Sequence, residues 1–320
     1  MRPLSPQFRP YGWALSARDI ARRAGITPED VLRFDGNTPP EPPPTARAET
    51  IASALERIQS YRHGGFPELV SAIADYNRVS PEQVVLGAGA DDLLMLCIRA
   101  YAGPGDRVAI AHEPSYPLYR VAVWVTGADV GDDAPVLTVV CRPHNPTGAL
   151  VAIPDARPLV VDEAYFEYAG ETAVPLLGEG VIVVRTFSKA FGLASARVGY
   201  ALADVETAQE LNERQQPAAL STLSAALALA GLEAGPPDVA PTIAERERLA
   251  GALRGIGLEP LPSWTNFLFV PHPDAKAIYE RLLERGIAVR PSPGAIRITV
   301  HRPDADDRLV AELAQLTGAS

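Results

Sequence analysis

Cysteine is scarce in this chain. Cys97 and Cys141 are the only two among 320 residues, so at most one bridge can form and a disulfide framework is excluded. No paired-cysteine spacing and no helical His-Glu pattern is present, so no metal site is expected. Long apolar runs are missing as well: no stretch approaches the ~18 apolar residues needed to cross a bilayer. The segment MRPLSPQFRPYGW has no apolar signal-peptide core. From these absences we expect a cytoplasmic protein with no membrane contact. Positive charge is also in deficit, 29 Lys+Arg against 39 Asp+Glu for a net charge of -10, which repels nucleic acid and anionic surfaces.

What remains is ordinary globular composition, 47% hydrophobic and 21% charged. A chain of this length exceeds what one core usually serves, so a large and a smaller domain are expected. Short apolar runs bounded by turn residues alternate with helical patterns: VVLGAGA, DRVAIAH, VLTVVC, PLVVDEAY and VIVVRTFS. This is the signature of an α/β protein with a largely parallel, buried sheet. Beyond Gln216 the pattern changes to Ala/Leu/Arg-rich helices followed by TNFLFV and AIRITV, which read as strands of a smaller α+β domain. We therefore expect an N-terminal arm over 1–35, a large domain over 36–216 and a small domain over 217–320. ARDIARRAG reads as a short amphipathic helix in the arm, and TPPEPPP as an extended connection, because proline cannot continue a helix or a central strand.

The stretch VIVVRTFSKAFGLASARVGY ends a buried strand in Thr-Phe-Ser-Lys. A partly desolvated amine such as that of Lys189 can form an imine with an aldehyde, and Ser188 with Arg197 could grip a phosphate. Alone, the same residues read more readily as a loop lysine and a surface cation, and the other motifs must decide. PLVVDEAYFEY places Asp162 at a strand end with Tyr165 close behind. A carboxylate there can hold a pyridine nitrogen protonated, and a tyrosine hydroxyl can bond a phenolic oxygen; the plain alternative for Asp162 is an ion-pair partner. VVCRPHNPTGAL sets Asn145 in a tight turn, and HEPSYPLYR carries Tyr116, whose ring could stack on a planar cofactor or simply fill core. In VVLGAGADDLLML a strand, a small-residue turn and a helix start follow one another, so the amides of Ala90 and Asp91 could cradle a phosphate. A dinucleotide fingerprint is the rival reading, but Asp92 stands at its third glycine position.

Taken in order, GAGADD, SYPLY, NPTG, DEAY and SKA…R resemble the fold-type I aminotransferases of class I/II, and most closely the histidinol-phosphate aminotransferase family. The resemblance runs from about residue 11 to the C-terminus, with SARDIARRAGITPEDVLRFDGN like the family's arm and AIRITVH like its C-terminal arginine strand. It implies pyridoxal 5'-phosphate as cofactor. Lys189 would be the imine lysine and general acid/base, and Asp162 the partner of the ring nitrogen. Asn145 and Tyr165 would bond the phenolic oxygen, and Ala90, Asp91, Ser188 and Arg197 the phosphate, with Tyr116 stacked on the ring. Arg297, Arg290 and Asn37 would meet the substrate. Tyr61, in SYRHGGFPEL, would reach the neighbour's phosphate across a homodimer interface. The implied activity transfers an amino group from histidinol phosphate, or an aromatic or other amino acid, to a 2-oxo acid such as 2-oxoglutarate, within histidine biosynthesis. A threonine-phosphate decarboxylase of the same fold shares nearly every motif. A third reading, a non-catalytic regulator, is disfavoured because no winged-helix segment precedes the motifs and the chain is acidic.

Two connections depart from the family. Only residues 149–161 separate NPTG from DEAY, where a crossover helix is usual, and TGADVGDDAP replaces a second helical connection. Part of one sheet face is therefore expected to be less covered.

Overall fold

A strand buried on both faces reads as an unbroken apolar run, and the computed structural model places such runs at the centre of a seven-stranded sheet. The structure describes residues 4–5 and 7–318; the remaining positions of the expected arm and small domain lie outside the described residues. In chain order the elements are α1 (Ala17–Ala24), β1 (Leu32–Phe34), α2 (Ala48–Leu55), α3 (Pro67–Asn77), β2 (Val84–Gly87), α4 (Ala90–Tyr101), β3 (Arg107–Ile110), α5 (Leu118–Thr126), β4 (Asp129–Val130) and β5 (Leu137–Cys141). They continue with β6 (Leu159–Asp162), α6 (Phe166–Ala169), β7 (Val181–Thr186), β8 (Gly199–Leu202), α7 (Val205–Arg214) and α8 (Thr222–Glu233). The last are α9 (Ala240–Gly255), β9 (Phe267–Pro271), α10 (Ala275–Leu283), β10 (Ile287–Ser292), β11 (Ala295–Thr299) and α11 (Pro303–Thr317).

Contacts divide the chain into two compact units. The first comprises residues 1–11, 41–142 and 151–237, and the second 12–40, 143–150 and 238–320. This partition differs from boundaries at 35 and 216. Most of the arm belongs to the second unit because β1 pairs in parallel with β10, and α8 belongs to the first because its small residues pack there, with Gly231 against Phe191.

The first unit carries the sheet β2-β8-β7-β6-β5-β3-β4, parallel throughout except where β8 runs against β2 and β7. This is the mainly parallel α/β architecture expected. Every residue of β5, β6 and β7 is buried, so their carboxyl ends, where a doubly wound sheet presents ligand-binding loops, are rigidly placed. The expectation of a less covered face does not hold. Residues 142–158 contain no helix, yet Val140, Leu159, Val161 and Val183 are fully buried in a core to which α3 and α8 contribute and against which Val151 and Ile153 of this connection pack. Irregular chain takes part of the place a helix would have had. The second short connection holds the small strand β4, parallel to β3.

The second unit is a four-stranded sheet, β1-β10-β11-β9, with β10, β11 and β9 antiparallel. Its core draws on α9, α10 and α11 through Leu249, Leu253, Ile278, Leu282 and Leu309. α1 forms where expected, opened by Ser16, whose hydroxyl accepts the Asp19 N–H at 3.2 Å, and closed by Gly25 in the left-handed region. Among the described residues no helix is long and apolar enough to cross a membrane, and the two cysteines are buried and form no disulfide.

Candidate active site

Asp162 is the last residue of β6 and is buried. Its Oδ1 accepts the Ala164 N–H at 3.0 Å and its Oδ2 accepts the Tyr119 hydroxyl at 2.6 Å. Burial pushes the carboxyl up to about 6, against the pull of the Tyr119 hydroxyl and the Ala164 amide. A carboxylate desolvated this far gains most from a cationic partner placed against it. Tyr119 closes the SYPLY motif, but its role is not readable from the sequence. It sits in the first turn of α5, one turn after Tyr116, and its partner lies in a distant strand. The Tyr116 and Tyr119 rings meet edge to face at 5.6 Å, and Tyr116 donates its hydroxyl to Asp91 Oδ1 at 3.1 Å.

One strand away, β7 ends in Thr186, and the chain turns through Phe187, Ser188 and Lys189. Ser188 is buried. Its backbone N–H donates to Thr186 Oγ1 at 3.0 Å, and its hydroxyl accepts from the same Thr186 hydroxyl at 2.9 Å. Lys189 is half-buried, with Nζ 5.7 Å from the centre of the Tyr165 ring, and its charge helps to draw the Asp162 pKa down. Arg197, in the left-handed region at φ 52°, donates to Ala194 O at 2.9 Å, lies 3.5 Å from Ser188 Oγ, and pairs with Asp91 at 3.3 Å.

Two glycines make this arrangement possible. Gly89, at φ +90°, precedes the first residue of α4; a Cβ there would stand 2.7 Å from Arg197 Nη2. On β8, a Cβ at Gly199 would lie 2.8 Å from both Ala90 N and Arg185 O. The result is a cup in which the start of α4, with the backbone amides of Ala90 and Asp91, lies beside the Arg197 guanidinium, which in turn is 3.5 Å from Ser188 Oγ. Helix-start amides lack intrahelical acceptors and carry positive potential, so this donor set fits a phosphate. With Asp162 and Lys189 on the neighbouring strand ends, the residues present fit pyridoxal 5'-phosphate.

Beneath the cup lies a buried polar network that sequence reasoning did not single out. Arg185 donates to Glu163 Oε2 from Nε at 3.0 Å and Nη2 at 2.8 Å, to Asn77 at 2.5 Å and to Thr172 at 2.7 Å. Its guanidinium lies 3.4 Å over the Phe166 ring. Glu163 follows Asp162 and Arg185 precedes Ser188, so the pair ties the two strand ends together.

The second unit assembles a different group. Asn145 lies in a turn closed by Gly148 N–H to His144 O at 2.7 Å and by His144 N–H to Ala149 O at 2.8 Å. Arg297, buried on β11, donates to Asn145 Oδ1 at 2.7 Å and to Asp35 O at 3.1 Å, with its guanidinium 5.2 Å from the Phe267 ring. Arg290 is its register partner on β10 and donates to Gly12 O at 3.3 Å. Asn37, buried with φ 51°, is held through Thr299, whose hydroxyl accepts the Asn37 N–H at 2.9 Å and donates to Oδ1 at 3.1 Å. Tyr61 is 80% exposed on the surface of the first unit. Among the described residues no cluster of His, Cys, Asp and Glu could hold a metal ion.

The sequence matches the aminotransferase class I and II family over residues 29–132 and 127–313, and the chain belongs to that family, whose members are pyridoxal-phosphate-dependent enzymes. Within it the chain resembles histidinol-phosphate aminotransferases. It is 36% identical to that of Thermoanaerobacter pseudethanolicus, over 84% of this chain and 89% of the relative. The crystal structure of histidinol-phosphate aminotransferase from Sinorhizobium meliloti in complex with pyridoxal-5'-phosphate superposes with a TM-score of 0.82 at 28% identity, covering 97% of each chain. L-threonine-O-3-phosphate decarboxylase from Porphyromonas gingivalis shares the fold, with a TM-score of 0.78 at 18% identity over 90% of this chain and all of that one (100%).

Proposed function

We propose that this aminotransferase takes its amino group from histidinol phosphate and passes it to a 2-oxo acid such as 2-oxoglutarate, in the cytoplasm, within histidine biosynthesis. The observation that carries the reading is Arg297, a buried guanidinium on a central strand, oriented by Asn145 and Asp35 O. A planar fork fixed in this way suits a phosphate or carboxylate. The similarity to histidinol-phosphate aminotransferases supports the choice of donor.

Pyridoxal 5'-phosphate, when bound, supplies the aldehyde and the electron-withdrawing ring. Lys189 would hold it covalently, and its Nζ would move the proton at the substrate Cα. Asp162 would keep the ring nitrogen protonated, with Tyr119 holding the Asp162 carboxylate. The amides of Ala90 and Asp91, Ser188 and Arg197 would hold the phosphate, Tyr116 would lie against the ring, and Asn145 and Tyr165 would serve the phenolic oxygen. Arg297, aided by Arg290 and Asn37, binds the anionic end of the substrate.

The test is a half-reaction screen of amino donors, followed by the change in bound-cofactor absorbance. Histidinol phosphate is expected to convert the cofactor fastest, with a keto acid restoring it. Carbon dioxide release from a phosphorylated hydroxy-amino acid, without need of a keto acceptor, would instead identify a decarboxylase. Arg297→Ala is expected to lower kcat/KM for the donor by about 2–3 kcal/mol, roughly 30- to 150-fold, through loss of charge-assisted contacts. Equilibrium titration should show cofactor affinity unchanged; loss of cofactor with intact donor kinetics would place Arg297 elsewhere.

The working unit we propose is a homodimer with shared sites. α8 is almost wholly apolar, yet Ala225, Ala228 and Gly231 are its only buried residues. Leu55 (50%), Ile58 (57%) and Tyr61 (80%) are exposed, and Ile58 and Tyr61 line a cavity of about 660 Å³. Exposed apolar side chains grouped in this way support an interface here, and a two-fold interface would let Tyr61 of each copy reach the phosphate of the other. Mixed dimers of Tyr61→Ala and Lys189→Ala chains test this by complementation. If the site is shared, one site carries both lesions and the other none, so activity about half that of the unaltered dimer is expected. No gain over the parent variants would show that Tyr61 acts within its own chain.

A further inference from the structure

We propose that Arg142 is a positioning residue that closes the neck of the loop carrying Asn145. Parallel neighbours such as β5 and β6 are normally joined by a crossover of a dozen or more residues, usually a helix. Here residues 142–158 form neither helix nor strand. Unstructured connections longer than about 12–15 residues are uncommon in compact proteins unless they are functional, and this one holds Asn145. Something other than helical hydrogen bonds must fix its course.

Arg142 is placed to do so. It stands immediately after β5, and its backbone N–H continues the ladder by donating to Asp162 O at 2.9 Å. Its side chain is only 10% exposed. Nε donates to Val151 O at 2.8 Å, and Nη2 donates to Glu171 Oε2 at 2.6 Å. Arg142 and Val151 bound the segment 143–150, so one guanidinium joins the residue where the segment leaves to the residue where it returns. Glu171, from the stretch after α6, holds the fork in register. Inside the neck, the His144–Ala149 and Gly148–His144 backbone bonds close the turn itself. The neck clamp thus removes the freedom that a helix-free connection would keep, and pre-orders the turn that presents Asn145. A buried arginine is an expensive residue to place in a loop unless hydrogen bonds hold it; the two acceptors hold Nε and Nη2, while the buried Nη1 has no partner among the described residues.

The inference rests on the reading of Asn145 as a ligand of the cofactor's phenolic oxygen, and its test separates the two. Hydrogen exchange on the cofactor-loaded enzyme reads the clamp directly. In Arg142→Gln the amides of 144–151 are expected to exchange at least tenfold faster, while those of β5, β6 and β7 keep their protection. Catalysis is the second readout. A loosened Asn145 should lower kcat about tenfold with little change in KM, and raise the pH at which the bound-cofactor absorption band changes. Arg142→Lys, which keeps one donor, should recover part of both effects. Adding Arg142→Gln to Asn145→Ala should cost nothing beyond Asn145→Ala alone. If Arg142→Gln does not fold, Glu171→Gln, altered at the half-open end of the clamp, should show the same changes on a smaller scale. Unchanged exchange in 144–151 would overturn the clamp. Faster exchange with unchanged kcat and band pH would overturn its positioning role, and if Asn145→Ala were equally silent, the fault would lie in the reading of Asn145.

Discussion

Lys189→Ala is expected to fold, to retain some cofactor through the phosphate cup, and to lose turnover by at least about 10⁴-fold. The size of the effect follows from two duties meeting on one nitrogen: the covalent hold on the cofactor and the proton transfer at the substrate Cα. The Ser188 hydroxyl beside it in the chain is bound to Thr186, and the Arg197 guanidinium offers only hydrogen-bond donors. The chain's other lysine, Lys276, belongs to α10 in the second unit. Single-turnover kinetics with the donor, together with the bound-cofactor spectrum, measure the loss. Turnover within tenfold of the unaltered enzyme would remove Lys189 from the mechanism.

Asp162→Asn should lower kcat on the order of 10³-fold, the scale of removing a preorganised charge from where charge develops. An amide in its place cannot hold the ring nitrogen as a cation, and Tyr119 would lose its carboxylate acceptor. The same substitution has a consequence in the cofactor-free protein, with a definite sign. The folded-state pKa of Asp162 is raised from 3.8 to about 6 by burial. A raised carboxyl favours the folded state while protonated, so its contribution is complete below about pH 4 and is lost as the pH rises through about 6. Urea midpoints of the cofactor-free protein should therefore fall between pH 4.5 and 7 by more than those of the Asn variant, whose side chain does not titrate. Parallel pH profiles for the two would show that Asp162 is not desolvated as described.

The parts of the site that the sequence made legible are those fixed by local chemistry. A buried strand ending in Asp162, another ending next to Ser188 and Lys189, and a glycine-rich helix start at Ala90 each follow from apolar runs and small residues within a short window. The structure brings these segments together because parallel strands end on the same side of a sheet. What was not legible depends on distant partners. Tyr119 has a recognisable role only once α5 is laid against the end of β6, and the Arg185–Glu163 pair only once β6 and β7 are in register. The shortened connection after NPTG was visible, but not its remedy: Val151 and Ile153 help to cover the sheet and Arg142 closes the neck, none of which has a periodic signature. The boundary at 216 also missed that α8 packs with the first unit, because Ala/Leu-rich sequence does not say which neighbour it serves.

The proposed chemistry depends on the bond between Lys189 and the cofactor, and trapping that bond is the most direct measurement. The purified, cofactor-loaded enzyme should be yellow, and borohydride followed by peptide mapping should place the reduced cofactor on the peptide that contains Lys189. With only Lys189 and Lys276 in the sequence, the assignment is close to binary. Modification of Lys189 alone, abolished by prior reaction with the amino donor, is the result expected; modification at Lys276, or at no lysine while cofactor remains bound, would contradict the account.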